Sequence, residues 1–216
     1  MKVLLQKPNR MQTTFSKSRV EAFSDGIFAI IVTLLVLEIK VPHVEDHGSA
    51  SALTASLIRL FPKFISWIIS FFTVAVIWVN HHRLFKQFRV IDHGIFWWNA
   101  LLLLWTSFIP FPTAVLGDYP GNAASVVLYG SVMALMAASF TLMRWHVLRN
   151  PSLLEETTDM LSFRKGTILS LLFGPALYLA GVAFSWIHPA VSFAIYLAIP
   201  IYFIFSENRS RNNTPG

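Results

Sequence analysis

The chain has 216 residues, 55% hydrophobic and 13% charged, with no cysteine and a formal net charge of +6. A soluble domain carries about a quarter charged residues, so the composition excludes a water-soluble fold, and without cysteine there are no disulfides and no thiolate metal sites. The basic excess does not make a nucleic-acid binder either, because the lysines and arginines fall between apolar runs rather than on one polar domain.

The N-terminal stretch MKVLLQKPNRMQTTFSKSR is charged and lacks a long apolar core before a small-residue cleavage site, which argues against a removable leader. A first span is predicted from Val20 to Ile39, stopped at Lys40-Val41-Pro42, where proline cannot continue a helix. At about 1.5 Å per residue it crosses a hydrocarbon slab of roughly 30 Å. A polar stretch, HVEDHGSAS, and a short helix over 53–60 lead to a second span over 64–85. The third is predicted over 94–116 with a proline-rich exit, IPFPTAVLGDYPG, and the fourth over 123–148. The fifth, over 166–187, contains Gly174-Pro175 as a candidate break, and His188-Pro189 leaves room for only a tight turn before the sixth, over 190–205.

Cytoplasmic loops are enriched in Lys and Arg. With the N-terminus inside, every Lys and Arg except Lys40, Arg59 and Lys63 falls on the cytoplasmic side. The predicted fold is therefore an all-α membrane protein, a six-transmembrane-helix bundle with N- and C-termini cytoplasmic, multi-pass in the cell (inner or plasma) membrane. Its parts are a cytoplasmic segment 1–18, a helical domain 19–206 and a disordered polar tail 207–216.

Polar groups inside the spans are few, and the first helix holds Arg19, Glu21, Ser24, Asp25 and, at its far end, Glu38. An ionised side chain at membrane depth costs about 3 kcal/mol on insertion scales, so Asp25 needs a partner. The second span returns to the same depth with Trp78-Val-Asn-His81-His82, and the third restarts there with Asn99 a turn or two inside. Asp25, His81 or His82, and Asn99 thus form either a hydrogen-bonded packing network or a proton relay. A metal site is disfavoured, because adjacent histidines do not share a helical face, and a Ser24-Asp25-His81 hydrolase lacks the Gly-x-Ser-x-Gly turn. Away from these groups, Phe23, Ile27, Ile30, Leu34 and Leu37 recur at helical spacing as one apolar stripe flanked by Thr33, about 140° from Asp25.

The segment Arg19-Val-Glu-Ala-Phe-Ser-Asp25 resembles the Arg-x-x-x-Phe-Ser-Asp signature of the transmembrane protein 175 family, the endosomal and lysosomal potassium channels and their prokaryotic relatives. Ser70-Phe71, Trp78-Val-Asn-His81-His82-Arg-Leu-Phe85, Asn99 and Pro110-Phe-Pro-Thr113 are similar to the same family, and the resemblance covers about residues 19 to 113. It implies a homotetramer in the lipid bilayer, with the first helices around a potassium pore and no cofactor. The family lacks a Thr-Val-Gly-Tyr-Gly carbonyl filter, and none occurs here. The resemblance makes Ile30, Leu34 and Leu37 the constriction and Thr33 the nearby hydroxyl. Phe23, Ile27 and Glu38 fall in the vestibules, with Glu38 either an outer cation-attracting ring or a solvated charge beside Lys40. Arg19, Ser24, Asp25, His81, His82 and Asn99 become structural, and the only metal is potassium in transit. The competing readings are a proton-coupled secondary transporter using Asp25, His81 and Asn99, and a membrane enzyme, for which the spans hold too few convergent catalytic groups.

Overall fold

A backbone in lipid has no water to bond, so each crossing segment must satisfy its N–H and C=O groups internally, as a helix does. The computed structural model describes the backbone of residues 15–211 and the side chains of 15–203. The helices are α1 (Lys17–Leu37), α2 (Ala50–Arg59), α3 (Phe61–Lys86), α4 (His93–Phe108), α5 (Pro110–Asp118), α6 (Ala123–Arg149), α7 (Met160–Leu171), α8 (Leu177–Phe184) and α9 (Pro189–Arg211). Among the described residues five helical runs are long and apolar enough to cross a membrane: α1, α3, α4 with α5, α6, and α7 through α8. A sixth apolar stretch, Pro189–Phe203 of α9, is shorter. Residues 1–14 of the predicted N-terminal segment and 212–216 of the predicted tail lie outside the described residues. The backbone of α9 stays helical to Arg211, beyond the boundary at 207 where a disordered tail is predicted.

Two breaks mark where proline meets helix. The run IPFP does not lead out of the third span: Ile109 ends α4 in helical geometry, and Pro110 opens α5 at a position where its missing N–H costs least. The Thr113 hydroxyl donates to the Ile109 carbonyl at 2.8 Å. The predicted break at Gly174-Pro175 is real; the chain widens into one loose turn over 172–176, with Gly174 at φ −96°, ψ −106°. Such single wide turns are where helices kink.

The long α6 is the spine, packed by α4, α5, α7, α8 and α9. Gly130 on α6 and Gly181 on α8 make the hollow that Tyr196 of α9 fills, and a β-carbon at either glycine would overlap the phenol ring. Tyr196 is 1% exposed, and its hydroxyl donates to the Val126 carbonyl at 3.3 Å. At the opposite side of the bundle α1 leans on α3, α4 and the edge of α5. Two isolated antiparallel bridges, Phe15 with Ile91 and Phe88 with Leu154, pin the connecting segments at one end.

Asp159, which precedes α7, accepts from the Leu161 and Ser162 amides at 3.1 and 3.2 Å. Hydrogen bonding by Ser162, followed by the backbone amides, holds its carboxyl below the usual carboxylate range. A depressed carboxylate stabilises the fold above its unfolded pKa, and that contribution disappears as pH falls through the folded value. The Leu161 and Ser162 amides are therefore expected to lose hydrogen-exchange protection on acidification. In Asp159→Asn, whose cap is neutral, protection should be independent of pH over the same range, and identical profiles for the two proteins would refute the charged cap.

Candidate functional site

Helix α1 divides into two faces. Val20, Ser24, Phe28, Ile31 and Leu35 recur at steps of three and four and are buried against the bundle. On the other side Phe23, Ile30, Leu34 and Leu37 are 61%, 58%, 41% and 60% exposed, so among the described residues the large apolar side chains of this face are left substantially uncovered. Thr33 is exposed beside them and donates its hydroxyl to the Ile30 carbonyl at 2.7 Å. Ile27 departs from the predicted stripe, because it is half-buried and packs against the core. The reason is rotational: at about 100° per residue Ile27 lies only some 20° from Val20 and 60° from Ser24, at the edge of the buried stripe.

The polar network forms where the three helix ends meet. The Asn99 amide on α4 donates to Ser24 Oγ at 2.9 Å, and its oxygen lies 2.8 Å from His81 Nε2 of α3. Ser24 in turn donates to the Val20 carbonyl at 2.8 Å. All three side chains are buried, and the His81 ring stacks on Phe85 at 4.1 Å between centroids and meets Phe28 edge-on at 5.4 Å. A buried polar chain is stabilising only when each member is bonded, and this one joins α1, α3 and α4.

Asp25 is not in that chain. It lies exposed, and its carboxylate accepts the Trp78 indole N–H at 2.9 Å. Ser24 and Asp25 are neighbours about 100° apart, so when Ser24 faces Asn99 the carboxylate must swing toward the flank of α3. His82 is also exposed, its ring 6.3 Å from that of Trp78, and Arg19 is exposed with no hydrogen bond to the described residues. Trp78 is the residue that depth and type alone do not select; a tryptophan indole N–H usually finds an acceptor, and here it is Asp25. At the far end Glu38 is half-buried beside a small void of about 10 Å³ that Lys63 and Thr113 also line. Lys63 pairs with Asp118 at 2.5 Å, joining the start of α3 to the end of α5.

Residues 19–110 match the family model described as the endosomal/lysosomal potassium channel TMEM175. A potassium channel of Chamaesiphon minutus is 37% identical, the alignment covering 95% of this chain and 100% of the relative. The chain belongs to the TMEM175 family. A potassium channel of Streptomyces collinus is 31% identical over 88% of this chain and 92% of its own length. The human endosomal/lysosomal proton channel TMEM175 is 33% identical over 60% of this chain but only 27% of the human protein. The crystal structure of a lysosomal potassium-selective channel TMEM175 homologue from Chamaesiphon minutus superposes with a TM-score of 0.78 at 36% identity, covering 89% of this chain and 98% of that one. These TMEM175 relatives are ion channels, not enzymes, and the chain is a multi-pass membrane protein. The TMEM175 match spans α1, α3 and α4, which are the helices that carry the Ser24–Asn99–His81 chain and the Asp25–Trp78 bond.

Proposed function

We propose that this chain is one subunit of a potassium-permeable cation channel, in which four copies surround an axis lined by α1. The observation that carries the reading is the exposed apolar face of that helix: Ile30, Leu34 and Leu37 point away from a bundle that buries the opposite face. The potassium-channel names of the bacterial relatives support the choice of ion. In this reading Ile30, Leu34 and Leu37 form the constriction, Thr33 supplies a hydroxyl beside it, and Phe23 and Glu38 line the two vestibules, with Ile27 contributing only its edge. The chain crosses the cell membrane six times with both ends in the cytoplasm, α9 making the last crossing.

A ring of apolar side chains gives a passing ion no oxygen in exchange for its water, so the ion that dehydrates more easily crosses more readily. Potassium then passes in preference to sodium, with less discrimination than a carbonyl-lined filter achieves. A proton-coupled transporter would need Asp25, His81 and Asn99 in one hydrogen-bonded chain, and Asp25 bonds Trp78 instead.

The test is single-channel recording from the purified chain in planar bilayers, with potassium on one side and sodium on the other. Unitary currents and a reversal potential displaced toward potassium are expected, from protein that native mass spectrometry shows as a tetramer. Verified tetramers that pass no unitary current, or ion uptake that saturates at carrier-like rates, would remove the channel reading.

A further inference from the structure

On the side of the bundle away from α1, two chambers meet beside an arginine. The inner one, about 310 Å³, lies between α3, α6 and the broken α7–α8 run and is walled by apolar groups such as Phe140, Leu169, Phe173 and Ile199. The outer one, about 490 Å³, is lined by Lys86, Glu155, Asp159 and Ser162. Arg144, Gln87 and Gly166 line both, so the two chambers adjoin at a neck formed by these three residues.

Arg144 is built into that neck. Its Nε donates to Thr167 Oγ1 at 3.3 Å, its Nη2 donates to the Phe163 carbonyl at 3.0 Å, and the guanidinium lies 4.6 Å from the centre of the Phe163 ring. A β-carbon on Gly166 would fall 2.6 Å from Nη2, so glycine there gives the guanidinium its room. Both hydrogen bonds go to neutral acceptors, and no carboxylate pairs with Arg144 among the described residues. A partly buried guanidinium near the end of a span can still accept a charged ligand, and its fork matches two oxygens of a phosphate. Arg83 adds a second cation to the inner chamber and Lys86 one to the outer. The carboxylates of Glu155 and Asp159 lie only in the outer chamber, and the Glu155 amide, bonded to the Gln87 carbonyl at 2.9 Å, anchors that loop to the end of α3.

Passing outward, the cleft runs from a largely apolar chamber with Arg83 in its wall, past Arg144, to a mouth where Glu155 and Asp159 stand with Lys86. A glycerophospholipid with a primary amine head has the complementary order of acyl chain, phosphate and ammonium. We propose that this cleft binds one phosphatidylethanolamine per subunit, the acyl chain between α3, α6 and α7–α9, the phosphate on Arg144 and the ammonium facing Glu155 and Asp159. A phosphatidylglycerol head brings hydroxyls but no cation to the two carboxylates, and the quaternary ammonium of phosphatidylcholine has no N–H to donate to them. The proposal does not depend on where ions cross the protein.

The experiment is native mass spectrometry of the full chain, delipidated in detergent and offered phosphatidylethanolamine, phosphatidylglycerol or phosphatidylcholine with identical acyl chains. Wild type should retain the ethanolamine lipid, one per subunit, about tenfold better than either of the others, the factor expected when one charge-assisted hydrogen bond is gained. Arg144→Gln should lower that retention by about tenfold. Glu155→Gln should narrow the preference over the choline lipid while binding persists. Leu169→Trp, at a side chain 52% exposed, places an indole at the wall of the inner chamber without touching the arginine, and should also reduce retention. If Arg144→Gln does not assemble, Leu169→Trp decides alone. Equal retention of the three lipids by wild type, preference for phosphatidylglycerol, or undiminished ethanolamine-lipid binding in Leu169→Trp would overturn the proposal.

Discussion

Leu34→Asn is expected to raise cation flux and weaken discrimination between potassium and sodium. If four copies share an axis lined by α1, one substitution changes four side chains at the same level of the pore. Each asparagine offers a carbonyl and an amide where the wild type offers only methyl groups, so a passing ion gives up less hydration. Lowering the barrier by about 1 kcal/mol raises conductance about fivefold. Sodium, which holds water more tightly, should gain more than potassium. The control is Val36→Asn, because Val36 is 47% exposed on the same helix, some 160° around from Leu34. The measurement is unitary conductance and reversal potential for the two variants at equal amounts of assembled protein. A normally assembled Leu34→Asn with wild-type conductance and selectivity would take Leu34 out of the narrow pore. A gain in both variants would point to general loosening.

Asn99→Leu is expected to be the most destabilising single change near α1. It removes the donor to Ser24 and the partner of His81, leaving an imidazole nitrogen buried at 1% exposure with nothing to bond. An unsatisfied buried group costs about 1–3 kcal/mol, although polar contacts between membrane helices average nearer 0.6 kcal/mol, so the expected loss is about 1–2 kcal/mol. Asp25→Asn should cost less, since that side chain is exposed and its amide oxygen can still accept from Trp78. Thermal unfolding in detergent, followed by loss of the helical circular-dichroism signal, gives the comparison. Equal midpoints for wild type and Asn99→Leu would mean that the three-helix hydrogen-bond chain does not hold α1 in place.

Hydropathy and proline placement made most of the helical layout legible from the residues alone, because a backbone in lipid has few alternatives to a helix. The depth argument also brought Asp25, His81 or His82, and Asn99 to one level, but it is Ser24 rather than Asp25 that bonds Asn99. It did not select which side chains touch: depth is set by counting along the helix, whereas contact depends on rotation, and Asp25 is turned about 100° from Ser24 toward Trp78. The same rotational ambiguity put Ile27 with the exposed stripe when it packs inward. Pro110 and Pro112 read equally well as an exit or as the start of a new helix, since proline fits both, and only the helical geometry of Ile109 separates them. The chamber at Arg144 was not legible, because its walls come from α3, α6 and α7 to α9, separated along the chain, and its neck depends on the absent side chain of Gly166.

The fit of Tyr196 into Gly130 and Gly181 bears on how the protein is made. Its socket lies on α6 and α8, which leave the ribosome before the plug does. The apolar run that carries the plug, residues 189–205, is about 25 Å long as a helix, short of a hydrocarbon slab of roughly 30 Å. If α9 makes the sixth crossing proposed above, its entry into the bilayer can draw on a docking site that is already synthesised. A chain that ends before Tyr196 would leave the hollow at Gly130 and Gly181 unfilled.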